Sequence, residues 1–131
     1  MKKNKQSAFT LIELLITVVI VGILAAFSYP SYISFINSSK EAEARAAMMS
    51  LASVLSQYHI DGGTYVGASL GDGGIFADQV PISGGGTKTY QLALSNLTAT
   101  GYLITATPAI EDDGLITYTL DEAGNKTPTG W

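Results

Sequence analysis

One stretch limits what this chain can fold into more than any other. Phe9–Phe27 reads FTLIELLITVVIVGILAAF, and Glu13 is the only charge between Phe9 and Ser39. From Leu14 to Ala26 there is no polar face, so a helix here is apolar all round and needs lipid or a shell of other helices. The hydrocarbon core of a bilayer takes about 20 helical residues, and Phe9–Ser28 supplies them. A carboxylate inside such a segment costs about 2.5–3.5 kcal/mol on insertion scales, so Glu13 marks a function.

The residues before the run set its orientation. MKKNKQSA carries Lys2, Lys3 and Lys5, and basic flanks stay on the cytoplasmic side. The expected arrangement is a single span, N-in and C-out. A secretory signal peptide would also have a basic region and an apolar core. However, Leu24-Ala25-Ala26-Phe27 is a poor small-residue cleavage site, and the apolar run continues into a helical pattern.

Past Pro30 the pattern changes. Ala47, Leu51, Val54, Leu55 and Tyr58 recur at helical spacing, with Ser50, Ser53 and Gln57 on another face. That is an amphipathic helix packing one side on a soluble core. Glu41 and Arg45, one turn apart, can pair. A single helix from Phe9 to His59 would reach about 76 Å at about 1.5 Å per residue. A small domain needs about half of that, so the first half is expected to protrude and the second to pack. Gly22 and Pro30 are the weak points, where the helix can bend or unwind.

Asp61-Gly62-Gly63 stops the helix. Nine of the fourteen glycines fall between Gly62 and Gly86, which makes that stretch a loop, with a short turn near Phe76–Val80. Alternating segments follow at Thr89–Ser95, Tyr102–Thr107 and Leu115–Leu120, and Lys126–Trp131 reads as a short edge strand. Close-spaced short strands form an antiparallel meander. The expected class is α+β, one long helix on a sheet of about four strands. Residues 1–8 form a leader, 9–60 the helix (9–28 its membrane segment) and 61–131 a globular head.

The density of these features in Met1–Arg45 resembles the class III signal and N-terminal helix of type IV pilins and related pseudopilins. The matching residues are KKNKQSA, then FTLIELLITVVIVGILAAFSYPSY, with Glu13 fifth after the Ala8–Phe9 bond and a break at Pro30. ALSNLTATGYLITATP and GLITYTLDEAGNKTPTGW are similar to the C-terminal part of small minor pilins.

The resemblance implies the pilin fold and a route. A prepilin peptidase would cut Ala8–Phe9 and methylate the new Phe9 amine. Glu13 would pair with that amine, its own or a neighbour's, and set the register of one helix against the next. An inner-membrane assembly platform would add the subunit to a helical polymer of pilins. Before that step its partner is membrane lipid; afterwards it is extracellular, serving adhesion, twitching motility or DNA uptake. Ala8 stands where the family usually has glycine. The cysteine pair that commonly closes a C-terminal loop is missing; Asp113 and Gly130 lie about where it would be. Strand pairing alone would then hold a more mobile loop.

The remaining candidates have plain readings. His59, the single histidine, ends a helix, where a cationic ring suits the carbonyl end. Gly84-Gly85-Gly86-Thr87-Lys88 lacks the spacing of a phosphate loop and reads as a connector. Asp112, Asp113 and Asp121 have no EF-hand spacing and read as solvated turns. Asn96-Leu97-Thr98 fits a glycosylation sequon, a frequent chance match. Tyr65, Tyr90, Tyr102, Tyr118 and Trp131 read as packing residues.

No cofactor or metal is expected. No nucleophile–base pair suggests an enzyme. Beyond the leader, four basic side chains face eleven acidic ones, which argues against nucleic acid as a partner. The expected function is therefore a structural pilus subunit, most simply a minor pilin. The alternatives are a type II secretion pseudopilin and a DNA-binding competence pilin.

Overall fold

A computed structural model describes residues 9–111 and 114–131. The leader, with Ala8 and its lysines, lies outside the described residues, as do Asp112 and Asp113. Packing separates two units, one ending at Ile36 and the other spanning Asn37–Trp131.

One helix, α1, covers Leu11–Gly62. It starts where Thr10 Oγ1 accepts a hydrogen bond from Glu13 N at 3.3 Å and Thr10 O accepts from Leu14 N at 3.2 Å. A threonine side chain capping the third helical amide satisfies one of the free donors of a helix start. The spacing T-x-x-E at Thr10–Glu13 is a capping-box pattern. The helix ends at Gly62; Gly63 follows with φ +70° and donates its amide to His59 O at 2.7 Å. That left-handed turn suits glycine and closes a free carbonyl. The helix runs through Gly22 and Pro30.

In the first unit every side chain from Phe9 to Phe35 is exposed. The segment is long and apolar enough to cross a membrane. In the second unit α1 buries Ala44, Ala47, Met48, Leu51 and Leu55. The expected stripe at Ala47, Leu51 and Leu55 thus faces the core, and Ala44 and Met48 widen it.

The sheet has five strands rather than four: β1 Gln79–Val80, β2 Tyr90–Ser95, β3 Leu103–Pro108, β4 Tyr118–Asp121 and β5 Lys126–Thr127. They pair antiparallel in sequence order. The short turn near Phe76–Val80 supplies β1, because Val80 pairs with Tyr90. β4 begins at Tyr118, later than Leu115. β5 spans two residues, and the chain beyond it turns back at Pro128.

Alternation places Tyr90, Leu92, Ile104, Ala106, Tyr118 and Leu120 inward. The outward residues align across strands: Ala93 faces Thr105, Thr105 faces Thr119, and Thr119 faces Thr127. Burying one face of each element against the other is what makes this head a domain.

Candidate functional site

Glu13 occupies the first turn of α1, where a carboxylate complements the partial positive charge of the helix start. Its backbone is held from both sides, since Thr17 Oγ1 donates to Glu13 O at 2.7 Å. Glu13 and Phe9 are both exposed, Phe9 at 76%. The helix start thus presents an acidic side chain and an aromatic one on an apolar surface without enclosing either.

In the head, a chain of aromatic and charged groups ties α1 to the C-terminal residues. The Arg45 guanidinium sits 5.7 Å from the centroid of the Tyr118 ring. Tyr118 meets Trp131, and the Lys126 ammonium lies 4.7 Å from the Trp131 ring centroid. Lys126 Nζ also donates to the Trp131 main-chain oxygen at 2.9 Å, and Trp131 Nε1 donates to Thr127 O at 3.3 Å. Burial, then a hydrogen bond to Glu41, pushes the Tyr118 phenol above its ordinary pKa. Glu41 and Arg45, expected to pair along the helix, therefore share Tyr118.

These contacts correct one expectation. In the absence of cysteines, strand pairing was to hold the C-terminal loop alone; Trp131 adds a packed anchor. Tyr118 and Trp131, packing residues by sequence, pack on each other. No periodic signal links them, because Trp131 lies beyond the last strand.

A second network organises the loop before the sheet. Gln91 Nε2 donates to Asp78 O at 2.6 Å and to Asp78 Oδ2 at 3.2 Å, and Lys88 Nζ donates to Gln91 Oε1 at 2.7 Å. Ser69 to Phe76 fold on themselves: Ile75 N donates to Ser69 O and Gly71 N to Phe76 O, each at 2.9 Å. The Gly84–Thr87 connector joins β1 to β2.

His59 ends the helix as expected. Its Nε2 lies 3.0 Å from Ala99 O, and its ring packs on Tyr65 at 4.6 Å, which in turn meets Tyr102 at 4.9 Å. Asp121 was expected in a turn but is the last residue of β4, paired with Leu103. Its carboxylate accepts from Asn125 Nδ2 at 2.7 Å and from Asn125 N at 2.8 Å. Those bonds, the side-chain amide first, hold its pKa below the usual carboxylate range. Asn96 is exposed with φ +51°. The Thr98 hydroxyl of the same sequon accepts from Gly101 N at 2.8 Å. Among the described residues no cluster of three or more metal-ligating side chains occurs.

A long helix with an exposed apolar start, an acid in its first turn and a meander packed on its second half defines the class of type IV pilin-like proteins. Comparison with known proteins makes this specific. Residues 30–115 match the family model "Type IV minor pilin ComP, DNA uptake sequence receptor", and residues 3–29 match the prokaryotic N-terminal methylation motif. The first match spans most of the head as well as part of the helix, and the chain belongs to that minor pilin family.

Among curated proteins, the chain is 37% identical to type II secretion system core protein G of Pseudomonas aeruginosa. That alignment covers 71 residues, 54% of this chain and 50% of the relative. It is 33% identical to fimbrial protein EcpC of Eikenella corrodens over 94 residues, 67% of this chain and 61% of the relative. Type IV major fimbrial protein FimA of Dichelobacter nodosus is 56% identical over 41 residues, 31% of this chain and 26% of FimA. The chain thus matches about a quarter to three fifths of the length of these relatives. The family is one of structural subunits and not of enzymes.

The family description also bears on nucleic acid. The charge count argues against DNA as a partner, whereas the family is described as a DNA uptake receptor.

Proposed function

We propose that this chain is a minor subunit of a type IV pilus and that it serves there in DNA uptake. The observation that carries the reading is the family match over residues 30–115, because it rests on the head as well as on a helix shared by all pilins. In this reading the Ala8–Phe9 bond is cut by prepilin peptidase and the Phe9 amine is methylated. The subunit waits in the inner membrane, N-in, until the assembly platform packs Phe9–Ser28 among the helices of other pilins. Glu13 then pairs with a Phe9 amine. In a helix-packed, low-dielectric core that attraction is strong and an unpaired carboxylate is expensive. Gly22 and Pro30 give the helix the freedom to unwind locally on packing.

The test has two parts. Mass spectrometry of sheared surface fibres should find a peptide that begins at N-methylated Phe9, at low abundance relative to the main pilin. Deletion of the gene should leave fibres visible while uptake of the host's own DNA fails. Normal uptake in the deletion strain would remove the DNA role and leave a filament subunit.

The similarity to core protein G favours a second reading, a type II secretion pseudopilin. Loss of exported proteins from the culture medium of the deletion strain, with pili and uptake intact, would support it.

A further inference from the structure

Taken as a DNA receptor, the head has a deficit of positive charge. Beyond the leader the chain has Lys40, Arg45, Lys88 and Lys126 against eleven carboxylates. Each phosphate neutralised contributes about 0.9 to the slope of log affinity against log salt, so four cations limit that slope to less than about 4. A protein that makes about 6–10 phosphate contacts has a slope of about 5–9.

The four cations are also scattered along the chain. The Arg45 guanidinium sits over Tyr118, a ring 3% exposed, one turn from Glu41. Lys126 is bonded to the Trp131 main-chain oxygen and stacked on its indole. Lys88 is bonded to Gln91, whose amide is in turn held by Asp78. Lys88 immediately precedes Thr89 and β2, while Lys126 lies on β5. The strand order puts β2 and β5 three spacings of about 4.8 Å apart, so the two lysines lie at least about 14 Å apart. That exceeds the Debye length of about 8 Å at physiological ionic strength, so their fields do not merge into a stripe. The outward row Ala93, Thr105, Thr119 and Thr127 adds no charge.

We infer that this subunit takes DNA only as part of a composite site, with the phosphates neutralised by a lysine- and arginine-rich neighbour in the filament. The inference rests on the DNA-uptake reading above. A second copy of this chain cannot be that neighbour, because it brings the same excess of carboxylates. The uncharged threonine, glutamine and backbone groups of the head remain suited to positioning contacts with sugar and phosphate.

The experiment compares three samples on short end-labelled fragments of the host's genomic DNA, titrated from about 50 to 200 mM salt. They are the full chain purified from host membranes in a neutral detergent, intact pili from wild-type cells, and pili from cells lacking this chain. The isolated chain should bind weakly, with a slope below about 4, at least about a hundredfold more weakly than wild-type pili at the upper salt. Pili without the chain should lose that tight binding. Cross-linking in wild-type pili should join the chain to a subunit with a pI above about 9. If the isolated chain binds as tightly as pili, or cross-links reach only acidic subunits, the composite site is overturned. If pili lacking the chain bind as well as wild type, the DNA-uptake reading itself fails.

Discussion

The Tyr118 ring meets the Trp131 indole edge-on, with centroids 5.5 Å apart and planes at 77°. Tyr118 is a core residue on β4, whereas Trp131 lies past β5. The contact therefore ties the C-terminal stretch to the core by packing, in a chain without cysteine to do it covalently. Edge-to-face pairs add about 0.5–1.5 kcal/mol beyond the area they bury.

Trp131→Ala should destabilise the head by about 1–3 kcal/mol, since it loses that contact, a half-buried indole and the Lys126 stack. Trp131→Phe should recover most of the loss. Because Trp131 is the single tryptophan, urea unfolding should be followed by circular dichroism. An unchanged midpoint for the alanine variant would show that strand pairing suffices.

Gly74 and Gly85 should respond oppositely to alanine. A Cβ on Gly74 would meet the Ser69 carbonyl oxygen and come 2.8 Å from Leu70 Cα, so backbone would have to move. Gly74→Ala should cost about 1–3 kcal/mol, as overpacking does. At Gly85 a Cβ meets nothing within 4 Å, and φ is not in the left-handed region. There alanine should be neutral or stabilise by up to about 1 kcal/mol through the unfolded chain. Thermal melts of both variants decide the matter.

The tyrosine core limits stability in alkali. Burial, with the Glu41 charge second, pushes the Tyr90 phenol well above 10, and its hydroxyl donates to Ile116 O at 3.1 Å. Burial also raises Tyr102 and Tyr118. A pKa raised on folding means that the neutral form is favoured in the native state. The associated stability is fully present below the unfolded value of about 10 and is lost as pH rises through the folded one. The head should therefore be flat in stability between about pH 7 and 9 and weaken above about 10. Tyr90→Phe should cost about 1 kcal/mol at neutral pH, and its alkaline loss should be shallower than that of the parent chain. Denaturant midpoints across pH test both.

Glu13→Ala should abolish incorporation into fibres while leaving cleavage before Phe9 intact. The substitution leaves the apolar face and the Thr10 cap in place and removes the carboxylate proposed to pair with the Phe9 amine. Immunoblots of sheared and membrane fractions, with N-terminal sequencing of the membrane form, read both effects. Normal incorporation with normal cleavage would refute the register role.

Some elements were readable because a short-range pattern carried them. The stripe Ala47, Leu51 and Leu55 has a helical period, and Tyr90 and Leu92 alternate as a buried strand face must. Thr10 and Glu13 also carry a short-range signal, the capping-box spacing. Two residues hold no period, so β1 looks like a turn in the sequence. Its strand character comes from Val80 pairing with Tyr90. The networks Gln91–Asp78–Lys88 and Arg45–Tyr118–Trp131–Lys126 join residues from separate elements, and nothing local announces such a meeting.

The sequence by itself determined the apolar first half of the helix, the place of the one acid within it and the α+β order of elements. Those follow from periodicity and from the cost of charge in an apolar medium. Tertiary structure alone decided what the head's cations do. A lysine or arginine counted from composition is available to any partner. Folding puts Arg45 over Tyr118 and bonds Lys126 to the Trp131 main chain, and so fixes where each charge sits on the domain.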